Sequence, residues 1–66
     1  MTFNCDSIKK FENALIKIWF SDILNRKHVS VGNIDAINET YILFNVNNEN
    51  EIIPIRFSKI KYIMFK

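Results

Sequence analysis

Few side chains in this sequence are of types that do chemistry. Cys5 and His28 are its one cysteine and its one histidine. A thiol beside an imidazole makes a nucleophile with its base when a third group orients the ring. The sequence offers no evident third group, and Cys5 falls in a terminal stretch expected to fray. Asp35 and Glu39 are spaced for paired carboxylates, which do general acid–base work, but they read as the flanks of a solvated turn. One Cys and one His fall short of the roughly four ligands a zinc site needs. The one glycine, Gly32, cannot build a glycine-rich phosphate loop. The chain therefore reads as a non-enzyme: no catalytic residues, no metal site, no cofactor.

Binding chemistry is better represented, at the C-terminal end. Residues 56–66 carry four bases (Arg56, Lys59, Lys61, Lys66) and no acid. They are interleaved with Phe57, Tyr62 and Phe65. Bases supply phosphate contacts and aromatics supply stacking platforms, so Arg56, Lys59, Lys61, Lys66 and Tyr62 are the nucleic-acid-binding candidates. The same pattern also suits a solvated strand face or a subunit contact. Residues 28–55 have the opposite balance, with four acids and no Lys or Arg. An acidic strand of one subunit could then lie beside a basic strand of another. The net charge of +2 is ordinary and favours neither reading.

Sixty-six residues make one small domain. Such a chain buries only about 60% of the surface exposed when unfolded. Small domains usually gain support from a disulfide, a metal or a partner subunit. A single cysteine excludes an internal disulfide, which leaves a partner subunit. Hydrophobic residues make up 48% of the chain, too many for a disordered segment. No apolar run approaches the roughly 20 residues of a membrane span, and no signal-peptide pattern precedes "ALIKIWF". The expected setting is cytoplasmic, without a membrane partner.

The elements that must position these residues begin with a helix. Asp6 or Ser7 suits an N-cap, and Ile8, Phe11, Leu15 and Ile18 follow at helical spacing. Asn25, Arg26 and Lys27 suit a helix end. The preferred reading is one helix over 6–24. The alternative is a helix over 6–14 followed by a first strand over 15–20, because "LIKIWF" is rich in β-favouring residues. Strands are expected at about 28–37, 41–46, 51–57 and 60–65. Val29 and Val31 share one parity and Ile34 and Ala36 the other, so a bend or bulge is expected at Gly32. In the hairpin around Asn47–Asn50, Val46 should face Glu51, Phe44 should face Ile53, and Ile42 should face Ile55. Pro54 belongs at an edge, and Ser58 and Lys59 form a short break. The fold class is α+β: an N-terminal helix, then an antiparallel meander curled into a small barrel.

This order resembles the Sm-like family, of the Hfq or LSm type. "FENAL" (Phe11 to Leu15) is similar to that family's Phe-Leu-Asn-Ala-Leu. "GNIDAINETYILF" (Gly32 to Phe44) is similar to its Gly-x-Ile run, aspartate region and following strand. "FSKI" (Phe57 to Ile60) is similar to its Ile-Ser-Thr-Val break. SH3-like barrels share the same meander. The resemblance implies a small barrel and a ring or dimer. Asn38 stands where the family has aspartate, and the family's RNA-contacting Tyr-Lys-His falls on Ile53, Pro54 and Ile55. The RNA site therefore does not carry over.

Two functions follow as expectations. One is a non-catalytic oligomeric Sm-like module that binds RNA or single-stranded nucleic acid, or acts through its assembly. The other is a small regulatory protein-interaction module, an inhibitor or adaptor of the kind phages and mobile elements encode. Apolar residues on both faces of the last strand exceed what one small core holds. Ile60, Tyr62, Ile63, Met64 and Phe65, with Trp19 and Phe20, are therefore the candidates for a homo-oligomer or protein interface.

Overall fold

A computed structural model describes residues 2–47 and 49–66. It shows a short helix α1 (Cys5–Lys9) and five strands: β1 (Ile16–Ser21), β2 (Lys27–Ile37), β3 (Tyr41–Val46), β4 (Glu51–Arg56) and β5 (Ile60–Phe65). A 3₁₀ turn, Phe57–Lys59, joins β4 to β5. The strands form one antiparallel sheet in the order β4-β3-β2-β1-β5. The sheet is not closed into a barrel: β4 and β5 stand at its two edges, with no ladder joining them among the described residues. No helix of the described residues is long and apolar enough to cross a membrane.

The long helix expected over 6–24 is absent. Its cap is Asn4, not Asp6 or Ser7: the Asn4 side chain accepts from the Ser7 N–H, and the Ser7 hydroxyl accepts from the Asn4 N–H. This reciprocal pair satisfies two orphan donors. The helix stops after Lys9, and Asn13 takes a positive φ of 59°, which a right-handed helix cannot continue through. Ile8 and Phe11 do reach the core, but Leu15 does not. Ile18 is buried from a strand rather than from a helix face.

Residues 16–21 form the central strand because β2 and β5 are both present to pair with them. Ile16, Ile18 and Phe20 point inward and are buried, while Lys17 and Trp19 point outward and are half-buried. With β2 on one side and β5 on the other, the strand pairs both backbone edges. The residues read as a helix end, Asn25 to Lys27, instead close the β1–β2 connection and open β2. Asn25 takes a φ of 61° there, a region Asn tolerates.

The long strand β2 serves two partners. Residues 27–32 pair with β1, and residues 32–37 pair with β3. Val29 and Val31 lie on the outward face, and Gly32 and Ile34 are buried on the inward one. The change of parity expected at Gly32 is thus a change of face without a bulge. The register shift comes later, between Ile34 and Ala36. Gly32 has another role. A Cβ there would lie 2.0 Å from the backbone oxygen of Asn45. Its φ is not positive, so only close approach demands glycine.

The β3–β4 hairpin has the register read from the sequence: Val46 opposite Glu51, Phe44 opposite Ile53, Ile42 opposite Ile55. Of its turn, Asn48 lies outside the described residues. Pro54 sits on an edge strand, where a missing N–H costs least. The core is the inward face of the sheet closed by α1. Ile8, Ile16, Ile18, Ile42, Phe44 and Ile55 are its most enclosed side chains.

Candidate functional site

The outward face of the sheet gathers residues from distant parts of the chain. Trp19 stands opposite Val29 on β2 and opposite Tyr62 on β5. The Trp19 and Tyr62 rings lie 5.2 Å apart between centroids, tilted by 54°. The Lys17 Nζ lies 5.1 Å from the Trp19 ring centre, within reach of a cation–π attraction. Lys17 itself faces Met64 across the β1–β5 ladder. The outward positions of β1, β5 and the β1-paired half of β2 include no Asp or Glu.

The five nucleic-acid candidates do not form one cluster. Arg56 is exposed at the end of β4, opposite Tyr41. Lys59 is half-buried in the 3₁₀ turn, and its ammonium donates to the Asn25 side-chain oxygen at 3.0 Å. Lys61 and Lys66 are exposed near the two ends of β5, about 17 Å apart along an extended strand. Tyr62 is 57% exposed. Of the five, Tyr62 is the one that joins the aromatic pair, and the bases line the strand rather than converge.

The interface candidates divide by face. Ile60, Ile63 and Phe20 are buried in the core and have little surface left for a second chain. Tyr62, Met64 and Phe65 are 57%, 43% and 54% exposed. Trp19 is half-buried beneath Tyr62. Phe65 is on the inward parity but sits at the strand's end, its ring 4.9 Å from Phe11.

Cys5 and His28 do not meet in a dyad. The Cys5 thiol donates to the Asn38 carbonyl at 3.2 Å. His28 stacks on Phe20, and its Nε2 lies 2.9 Å from an Asp22 carboxylate oxygen. Asp35 is exposed in the β2 bulge, and Glu39 is exposed in the β2–β3 turn. An open groove of about 1140 Å³ borders β4, with Val31, Leu43 and Ile53 among its apolar walls. Its rim carries both signs, Asp22, Glu49 and Glu51 against Arg56 and Lys59.

Asp22 organises the β1–β2 connection and was not legible as a functional or structural residue. One carboxylate oxygen accepts from the N–H groups of Leu24 and Arg26, and the other meets the Arg26 guanidinium and His28. The sequence signal, in retrospect, is an Asp two residues before the turn amide it binds. The His28 contact first holds the Asp22 carboxyl well below its ordinary value of 3.8. Partial burial opposes this, and the Arg26 and Leu24 bonds add to it. Because the folded-state value is the lower one, the stabilisation is present above the unfolded value and is lost as pH falls toward the folded one. Carboxyl-carbon NMR should find Asp22 titrating below 3.8. The stability difference between the parent and Asp22→Asn should hold above about pH 5 and shrink below about pH 4. A difference that persists unchanged to the acid limit contradicts this account.

Lys17 was the other residue missed, since a helix would have separated it from Tyr62. No family model matches this chain, and neither a curated protein nor a solved structure matches it.

Proposed function

We propose that this chain is a non-catalytic association module of Sm-like or SH3-like type that works as a homo-oligomer. The single observation behind the reading is the free, apolar edge strand β5. It exposes Tyr62, Met64 and Phe65, and Leu15 stands beside its end, 40% exposed, with the Leu15 carbonyl accepting from the Lys66 N–H. An exposed apolar edge is a template for another strand. The second free edge, β4, offers a partner: it runs from Glu51 to Arg56, one acid and one base, and exposes Ile52. A β4 edge of one copy against a β5 edge of the next sets Glu51 beside a strand flanked by lysines, with Pro54 leaving one position of that ladder without a donor. The element order supports the family reading: a short helix, a second strand with a register shift, a 3₁₀ turn before the last strand, and β5 beside β1.

Sedimentation at micromolar concentration should report more than one subunit. Met64→Lys places charge at the edge on an exposed, outward side chain, and should yield a folded monomer. A parent protein that sediments as a clean monomer would overturn the reading.

A further inference from the structure

We propose that the β1–β2 loop docks this protein on an anionic membrane surface. Ile23 and Leu24 enter the interface, and Arg26, Lys27, Lys59 and Lys61 meet lipid phosphates around them. This goes beyond the association reading and does not depend on it. Docking by a loop needs no membrane-spanning segment.

Ile23 is 86% exposed, the most of any large apolar side chain among the described residues, and its neighbour Leu24 is 66% exposed. Apolar side chains scattered singly on a surface need no explanation. These two are adjacent, and a built turn holds them out. One Asp22 carboxylate oxygen accepts from the Leu24 and Arg26 N–H groups. The Asn25 N–H donates to the Asp22 carbonyl, and the Asp22 N–H donates to the Arg26 carbonyl. The turn fixes its backbone and buries neither tip side chain.

Bases flank the tip. Arg26 and Lys27 follow it in the chain and are exposed. The Lys59 ammonium reaches the turn from the 3₁₀ segment and donates to the Asn25 side chain. Lys61 is exposed at the register shift of the β1–β5 ladder, beside Phe20 near the end of β1. The acid within the turn, Asp22, has its carboxylate engaged by Arg26 and His28. Glu39 shares a cleft with Arg56 and Ser58. Glu49 and Glu51 line the groove that Asp22 and Ile23 also border. Glu51, however, opens β4 at the end opposite Arg56, roughly 17 Å away along an extended strand, and Glu49 precedes it in the turn. Asp6 and Glu12 come before β1 begins, and Asp35 lies toward the other end of β2 from Lys27. Two aliphatic side chains flanked by bases match a bilayer surface. The apolar pair enters the headgroup boundary, and each base near an anionic surface strengthens binding about fivefold. A stable protein interface needs about 800 Å² from each partner, more than this tip offers. A nucleic acid would use the bases but gains nothing from the aliphatic pair.

The full chain is mixed with vesicles of phosphatidylcholine alone, or of phosphatidylcholine and phosphatidylglycerol in equal parts. Bound protein is read by co-sedimentation. Binding to the anionic vesicles, weakening as salt rises, is expected, with little binding to the neutral ones. Ile23→Ser with Leu24→Ser should lower the partition coefficient about tenfold or more. Lys27→Gln with Lys61→Gln should lower it about 25-fold. Lys9→Gln with Lys10→Gln, at the end of α1, removes the same charge elsewhere and should leave binding in place. Ile52→Ser, which removes an exposed aliphatic side chain from β4, should do so too. Circular dichroism confirms that each variant is folded, and the Lys27 and Lys61 pair carries the test if the serine pair is not. Three outcomes overturn the proposal. The first is no co-sedimentation with anionic vesicles at low salt, which leaves the tip to a soluble partner. The second is a serine pair bound as well as the parent, which makes the contact one of charge alone. The third is equal loss in either control. Because subunit number is read separately by sedimentation without lipid, failure here is distinguishable from failure of the association reading.

Discussion

Replacing Gly32 with Ala should leave the chain largely unfolded. The added Cβ would sit 2.0 Å from the Asn45 oxygen and 3.0 Å from two further backbone atoms. All three belong to main chain, so no side chain can swing away. Gly32 is also the residue at which β2 passes from one partner to the other, opposite Ile16 on β1 and Val46 on β3. Relief would require β3 to move off β2, and the Asn47 N–H to Val31 carbonyl bond next to it would be disturbed. Losses above about 4 kcal/mol from one substitution are exceptional. This site has the features that produce them, in a domain whose whole stability is only about 3–10 kcal/mol. A thermal melt followed by circular dichroism should show no cooperative transition. Asp35→Ala, in the exposed bulge of the same strand, should stay within about 0.5 kcal/mol of the parent. A Gly32→Ala protein melting within a few degrees of the parent would falsify the close-approach account.

Phe44→Ala is expected to be nearly as severe. Phe44 is fully buried, at 0% exposure, and its register partners are Ile34 on β2 and Ile53 on β4. Truncation removes the largest fully enclosed side chain of the core. The cost combines lost transfer energy with the cavity left behind, about 3–5 kcal/mol. For a domain this small each kcal/mol lowers Tm by about 4–8 °C, so the transition should drop by about 20 °C or disappear. Ile52→Ala, on the outward side of the neighbouring strand, is the matched comparison and should cost far less. A shift of under about 5 °C for Phe44→Ala would show that the core collapses around the gap, which a tightly packed core is not expected to do.

The two substitutions show how unevenly the fold can be read from the chain. The β3–β4 hairpin was legible because alternation on both strands and a run of turn-forming residues agree on one register. The break before β5 was legible for a similar reason: Ser58 and Lys59 interrupt two β-rich runs. Residues 14–20 were not. Their apolar character runs around a helical wheel and along both faces of a strand alike, and nothing local decides between them. What decides is that β2 and β5 are both present to pair with the segment and that Asn13 turns the chain beforehand. The need for Gly32 was visible as a singular glycine, but its cause was not. The sequence suggested a bend, whereas the requirement comes from a backbone oxygen on β3.

The surface divides in the same way. Composition marked the β5 segment as basic and aromatic, and that segment is indeed exposed in part. Composition did not separate the residues turned outward, Tyr62 and Met64, from Ile60 and Ile63, which fill the core. Nor did it join Tyr62 to Trp19 and Lys17, which meet it only through the β1–β5 ladder.

By itself, then, the sequence determined the properties that depend on near neighbours: alternation, turn chemistry, the hairpin register, the basic end and the shortage of catalytic groups. Tertiary structure alone decided which apolar stretch became the central strand, why residue 32 must lack a Cβ, and which aromatics share a face. The physical reason is range. Local propensities act over a few residues, while strand pairing joins positions from opposite ends of the chain, and only that pairing fixes which side of each strand meets the core.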